Sequence, residues 1–228
     1  MCGRFTLASS TPDELRARFP LGESVEIRRR FNVAPGDDVL AVVLREGAPA
    51  GALLRWGFTP PWAEDPSVGF KMINARAETV AEKPAFRDAF RRHRCLIVAD
   101  GFYEWEREGA RRPFHVTRSG GEPFAFAGLR TAWKDPRTEE WLRSCTIVTT
   151  RANAAIAAVH PRMPVILERA DEEAWLDPET PEEHVHALLR PLAVEETRAR
   201  PVSKAVNDAR YDGPECLAPA EPEQAELF

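Results

Sequence analysis

The sequence predicts an α+β protein: a single domain built on a curled, barrel-like, mainly antiparallel β-sheet flanked by short helices. Three observations carry this prediction. Seven strand-like runs outnumber four helical segments. The two kinds do not alternate strictly, which argues against a parallel βαβ sheet. The 228 residues contain no internal repeat and no Gly/Ser linker, so one domain holds most of the chain.

The elements follow in order. Thr11-Pro12-Asp13-Glu14 is a capping box with proline at the first helical position, and it opens a helix that runs through Phe19. Residues 39–44 and 52–56 read as strands. Residues 84–93 place Phe86 and Phe90 on one helical face. Further strands are expected at 95–99, 114–117, 124–129, 145–149 and 165–167. The Ala-rich segment 152–159 reads as a short helix, and Thr180-Pro181-Glu182-Glu183 as the cap of a last one reaching Leu189. The domain is expected to end at 211, with 212–228 an acidic, disordered tail.

Composition narrows the function. Hydrophobic residues make up 43% and charged residues 29%, the balance of a globular protein able to bury a full core. No apolar run approaches the roughly 18 residues of a membrane span, and the N-terminus has no secretory apolar region. A cytoplasmic protein of bacterial type is expected, nucleoid-associated when bound to DNA. Its four cysteines then stay reduced. Cys95 and Cys145 each open an apolar run and read as core residues. The net charge of −5 argues against nucleic acid, but acid is concentrated in 168–197 (net −8) and 212–228 (net −5), which leaves +8 in the rest. Clusters such as Arg28-Arg29-Arg30 are either a phosphate-binding face or solvated arginines.

Four groups of residues can carry chemistry. Once Met1 is trimmed, Cys2 presents an α-amine and a thiol on adjacent carbons. That amine has an ordinary pKa near 7.7–8.0, so much of it is neutral at physiological pH and can attack an aldehyde. The thiol can then close a five-membered thiazolidine. The alternative is an incidental exposed cysteine. Glu104, in Gly101-Phe102-Tyr103-Glu104-Trp105, is either a desolvated proton shuttle or a rim glutamate paired with an arginine. His160, after the Ala-rich segment, is either an acid–base residue or a capping histidine at a helix C-terminus. Asn74 can orient a carbonyl or amine, and Arg76 can hold a phosphate. The loop around Trp56 and Trp62 adds aromatics of the kind on which single-stranded bases stack, or a packed turn. The pair His184 and His186 points to different faces of a charged helix. No metal and no organic cofactor is required.

Taken together, eight motifs in order resemble the SOS-response-associated peptidase (SRAP) family of abasic-site-processing proteins. They are MCGRF at the start, Phe31 to Gly36, Trp56-Gly57, Ile73 to Thr79, Ala99 to Trp105, Ile147 to Thr149, His160 to Pro164 and Pro201 to Ser203. The resemblance runs from Cys2 to about Val206. It implies a barrel-like α+β domain with a basic groove for single-stranded DNA. It also implies covalent capture of the C1′ aldehyde of an abasic site as a thiazolidine on Cys2, with crosslink reversal, weak lyase activity and autopeptidase-type removal of Met1.

Carried over residue by residue, Cys2 is the nucleophile, Asn74 positions the sugar and amine, Glu104 relays protons and His160 assists ring opening. Thr149 supplies a supporting hydroxyl. Arg4, Arg76 and Arg162 hold phosphates, and Trp62, Met163 and Pro164 form an apolar wedge beside the lesion. The expected partner is single-stranded DNA containing abasic sites. No membrane partner is expected, the chain is expected to be a monomer, and contact with the replication machinery stays open. The competing reading is an N-terminal-nucleophile amidohydrolase of the glutamine amidotransferase kind, which shares the Met-Cys-Gly start. Its Asn-Gly dipeptide is missing here.

Overall fold

The structure is a computed structural model that describes residues 2–220. Its elements are β1 (Arg4–Leu7), α1 (Pro12–Arg18), β2 (Arg30–Val33), β3 (Asp38–Arg45), β4 (Ala48–Trp56), β5 (Asn74–Arg76), α2 (Arg87–Arg92), β6 (Arg94–Ala99) and β7 (Gly101–Trp105). There follow β8 (Pro113–Arg118), β9 (Phe124–Lys134), β10 (Trp141–Arg151), β11 (Arg162–Pro164), β12 (Ile166–Leu167), α3 (Glu172–Leu176), α4 (Glu182–Ala187) and β13 (Thr197–Pro201).

Strict two-residue alternation in the long strands makes two cores. Val39, Ala41 and Val43 of β3, Cys95, Ile97 and Ala99 of β6, Phe126 of β9, and Cys145 and Ile147 of β10 belong to one cluster. Leu40, Val42, Leu96, Val98, Ala127, Leu129 and Val148 belong to the other, with residues of the flanking helices. A strand apolar on both faces must be covered on both, and closure of the sheet supplies one of the covers. The pairing runs β10–β4–β3–β6–β9 and returns to β10, a closed five-stranded barrel in which only β4–β10 is parallel. The interior is crowded: a Cβ on Gly128 would stand 2.8 Å from Cys95 Sγ and 2.9 Å from Ile97 Cγ1. The β3–β4 hairpin turns at Glu46-Gly47, both at positive φ (51° and 81°), as a two-residue hairpin loop requires. The short β5 and β11 extend the barrel along β10, and β12 adds to β9.

A second antiparallel sheet, in the order β13-β8-β7-β1-β2, packs against the barrel. Phe5 lies 5.2 Å from Trp56 and 5.7 Å from Phe126, centroid to centroid. On the opposite side, α2 and α3 cover the outer core. Trp175 donates from its indole to the Cys95 carbonyl at 3.0 Å, and the Arg94 guanidinium donates to the carbonyls of Phe90 and Arg91.

Three expectations are corrected. Residues 152–159 form successive turns rather than a helix; Asn153 accepts the Ile156 N–H on Oδ1 (3.2 Å) while its amide donates to Leu192 O (2.7 Å) and Thr197 Oγ1 (2.8 Å), which ties the turns to a distant segment. Thr180 does not cap α4, whose N-cap is Pro181 without a side-chain bond. The domain does not end at 211. Asp212 accepts the backbone N–H groups of Phe31 and Asn32 at 2.6 and 2.7 Å, Cys216 is fully buried, and Pro219 pairs with Val202. The remainder of the expected tail, 221–228, lies outside the described residues. No helix among the described residues is long and apolar enough to cross a membrane.

Candidate active site

The platform is β1, hydrogen-bonded antiparallel between β2 and β7, with Phe5 opposite both Val33 and Phe102. Its far end is tied by Asp100, which accepts the Thr6 hydroxyl and the backbone N–H groups of Ala8 and Ser9 at 2.5–2.6 Å. His115 Nε2 lies 3.1 Å from Thr6 Oγ1. Burial pushes His115 down to about 3, so it is neutral at pH 7 and donates Nε2–H to the hydroxyl. Three hydrogen bonds to Asp100 and one contact with neutral His115 thus fix where β1 ends.

Upstream of Arg4 the chain leaves the strand, and Cys2 is fully buried among Phe5, Trp56 and Phe102. Asn74 Nδ2 donates to the Cys2 carbonyl at 2.8 Å. The parallel register of β5 on β10 places Asn74 opposite Ile147 and Arg76 opposite Thr149. Asn74 and Arg76 therefore share a face while Ala75 points into the core. Asn74 Oδ1 is buried with no hydrogen-bond partner among the described residues. Burial first, then the nearby Glu104 charge, push the Cys2 thiol well above its ordinary range. The thiol is therefore protonated at neutral pH.

Glu104 sits on β7, on the same face as Phe102, and is 2% exposed. Burial raises its carboxyl to about 7. A group poised there can both give and take a proton at physiological pH. His160 Nδ1 is 3.8 Å from Glu104 Oε1. The same nitrogen lies 3.1 Å from the Arg162 backbone N–H and from the Arg162 carbonyl, one partner for each tautomer. Burial lowers the His160 pKa, with adjacent positive charge acting in the same direction. Because 152–159 is not a helix, His160 is not a C-terminal cap stabilised as a cation; it is a base-competent imidazole next to Glu104.

Four of the expected residues thus converge, namely Cys2, Asn74, Glu104 and His160. Thr149 is fully buried between β5 and β11, its hydroxyl 3.4 Å from the Ala75 carbonyl. Arg76 is exposed beside Asn74, and Trp62 is 64% exposed on the loop after β4. The other expected DNA contacts differ from expectation. Arg4 Nη1 donates to Val206 O (2.9 Å) and Asn32 Oδ1 (3.0 Å), on the β1 face away from Phe5, so it ties the C-terminal segment to β1. Arg162 Nη2 donates to Thr149 O (2.6 Å) and Glu78 Oε2 (3.0 Å), and this pairing holds Glu78 below the usual carboxylate range. Met163 is fully buried, with its sulfur 3.4 Å from the Asn153 N–H, and Pro164 is buried beside Thr149. Neither forms a surface wedge, because β11 is covered on both faces where it pairs with β10.

Sequence reasoning missed Asp100, Glu78, Asn32 and His115. Asp100 and Glu78 lie inside motifs that were singled out for their neighbours. Asn32, whose amide donates to the carbonyls of Asp208 (3.0 Å) and Tyr211 (2.8 Å), has partners too distant in sequence to signal its role.

Fold and side-chain geometry define a barrel-and-sheet protein with a cysteine–asparagine–glutamate–histidine cluster at the junction of its two sheets. Residues 1–209 match the sequence model of the family described as SOS response associated peptidase (SRAP), and the chain belongs to that family. It is 40% identical over 223 residues to the abasic site processing protein YoqW of Bacillus subtilis, covering 95% of this chain and 99% of that one. It is 35% identical to the abasic site processing protein HMCES of Gallus gallus over 74% of this chain and 57% of the relative. A crystal structure of a Bacteroides thetaiotaomicron protein superposes with a TM-score of 0.87 at 25% identity, covering 96% of this chain and all of that one.

Proposed function

We propose that this protein processes abasic sites in single-stranded DNA by capturing them as a thiazolidine on Cys2. The observation that carries the reading is the buried Cys2 whose carbonyl is held by Asn74, next to a carboxyl raised to about 7. Relatives across most of the chain bear the name abasic site processing protein. An abasic sugar has no base to unstack, so it enters a pocket at low cost, and only its open form offers an aldehyde.

Removal of Met1, by self-cleavage or by an aminopeptidase, frees the Cys2 amine. Because the thiol is protonated and the amine is substantially neutral, the amine attacks C1′ first. The carbinolamine loses its hydroxyl as water after taking a proton from Glu104, which leaves an imine between Cys2 N and C1′. Sulfur then adds to C1′ while its proton passes to the imine nitrogen through Glu104. One C–N and one C–S bond form, one water leaves, and nothing is oxidised or reduced. Asn74 Oδ1 accepts from the amine and keeps its lone pair aimed at the sugar. His160, neutral and 3.8 Å from Glu104, resets that carboxyl and assists ring opening in reversal. Arg76 and Trp62 are the exposed groups beside the pocket that meet flanking phosphates and bases, with strong salt dependence and little sequence preference.

The test mixes the protein with a single-stranded oligonucleotide bearing one abasic site and resolves it on a denaturing gel. The expected product is an adduct with the summed mass of Met1-free protein and DNA less one water, absent from Cys2→Ala. No covalent band from Met1-free protein overturns the reading and turns attention to amide hydrolysis.

A further inference from the structure

The closed barrel has two ends, and the one remote from Cys2 is lined with arginine. Alternation that sends Val43, Phe126 and Cys145 into the barrel sends Arg45, Arg130 and Arg143 to the same interior face, at its open rim. Together with Leu54, Ala52 and Thr131 they line a cavity of about 440 Å³ that has no carboxylate in its wall. Arg143 and Thr149 stand on one strand, six residues or roughly 20 Å apart, so this cavity is separate from the reactive pocket.

Three unit charges directed into one concavity are unusual without a counter-charge. Several other arginines of this protein are paired with carboxylates: Arg18 with Glu172, Arg30 with Asp37, Arg112 with Glu106, Arg190 with Asp171. Among the described residues, Arg45 and Arg143 are exposed and have no ion pair. Arg130 is anchored only through Nη2 to the Leu44 carbonyl (3.2 Å), and its buried Nε has no acceptor. Repulsion at the rim reaches its neighbours: His93, whose carbonyl accepts the Arg130 N–H, is lowered by burial and then by Arg130 and Arg92.

We propose that the arginine-lined barrel mouth is a binding site for a phosphate oxyanion. Guanidinium forks match phosphate oxygens in pairs, and a dianion or phosphodiester provides the acceptors that Arg130 lacks and the charge that the rim lacks. The phosphate comes either from a free phosphomonoester or from the backbone of a bound strand, extending the DNA path to a second point on the barrel.

The test uses full-length Cys2→Ala protein, so that capture chemistry is silent, and compares it with the same protein carrying Arg45→Gln and Arg143→Gln. Both added substitutions are at exposed side chains, and melting temperature checks that the fold is intact. Binding of inorganic phosphate, deoxyadenosine monophosphate and an undamaged 20-nucleotide single strand is measured by calorimetry across salt concentrations. Loss of the two arginines is expected to weaken the phosphate-bearing ligand about tenfold or more. If mononucleotide binding is weakened and oligonucleotide binding is not, the site takes a free phosphomonoester. If oligonucleotide binding weakens and its salt slope falls by about one or two, the site takes strand backbone. Unchanged binding of all three ligands overturns the proposal and leaves the reading of Cys2 untouched, because no abasic site is present.

Discussion

Asp100 and Glu104 are both buried carboxylates, one just before and one on the central strand β7 of the second sheet, at 2% exposure each, yet their surroundings are opposite. Asp100 is met by a hydroxyl and two backbone N–H groups, which satisfy its oxygens inside the protein. Glu104 faces the apolar cluster of Phe5 and Phe102, and its carboxyl is raised to about 7. Burial alone does not make a group reactive. For Glu104 desolvation outweighs the groups that favour its charge, and that balance marks a proton carrier rather than a structural anchor.

Breaking each carboxylate separately sharpens this contrast. The largest effect is expected from Glu104→Gln, which removes the proton carrier of the proposed mechanism: crosslink formation should slow by about 10²–10⁴-fold, with the melting temperature unchanged or higher. A stopped time course of adduct formation measures the first and calorimetry the second. Asp100→Asn should do the reverse. It strands donors at the end of β1 and should lower stability by about 2–4 kcal/mol in denaturant titration, with capture slowed only as β1 loosens.

The pH dependence of stability separates them further. Glu104 binds its proton more tightly in the folded protein than in the unfolded chain. Its contribution is therefore fully present below about 4.5 and is lost as pH rises through about 7, an effect on the order of 3 kcal/mol. Denaturant titration at pH 5 and pH 8 should show this loss in the wild type and not in Glu104→Gln. The smallest effect is expected from His115→Gln, which replaces one neutral donor to Thr6 and should cost about 1 kcal/mol while leaving the rate of capture within a few-fold. A rate loss as large as that of Glu104→Gln would mean that the Thr6 network is part of the chemistry and not only of the platform.

Much of this was legible beforehand. The capping box at Thr11 forms α1 as written, with both reciprocal bonds. The runs around 39–44, 95–99, 124–129 and 145–149 are strands because two-sided apolar patterns demand a sheet covered on both faces. The helix expected at 152–159 gives way to turns whose Asn153 finds partners in Leu192 and Thr197, forty residues on, which a local alanine preference does not reveal. The three-residue strands β5 and β11 carry Asn74 and Arg162 to the site, and they are too short to announce themselves by periodicity.

The sequence by itself determined the reactive inventory: an aminothiol at Cys2, an amide at Asn74, a carboxyl at Glu104, an imidazole at His160, and the strand pattern that would hold them. Only the tertiary structure decided which charged groups are spent on the fold. Arg4 is taken by Asn32 and Val206, Arg162 by Glu78 and Thr149, and Asp100 by the end of β1, whereas Arg76 and the rim arginines at Arg45 and Arg143 have no ion pair among the described residues. The reason is physical: the availability of a charge depends on partners brought close by folding, and those partners lie dozens to hundreds of residues away along the chain.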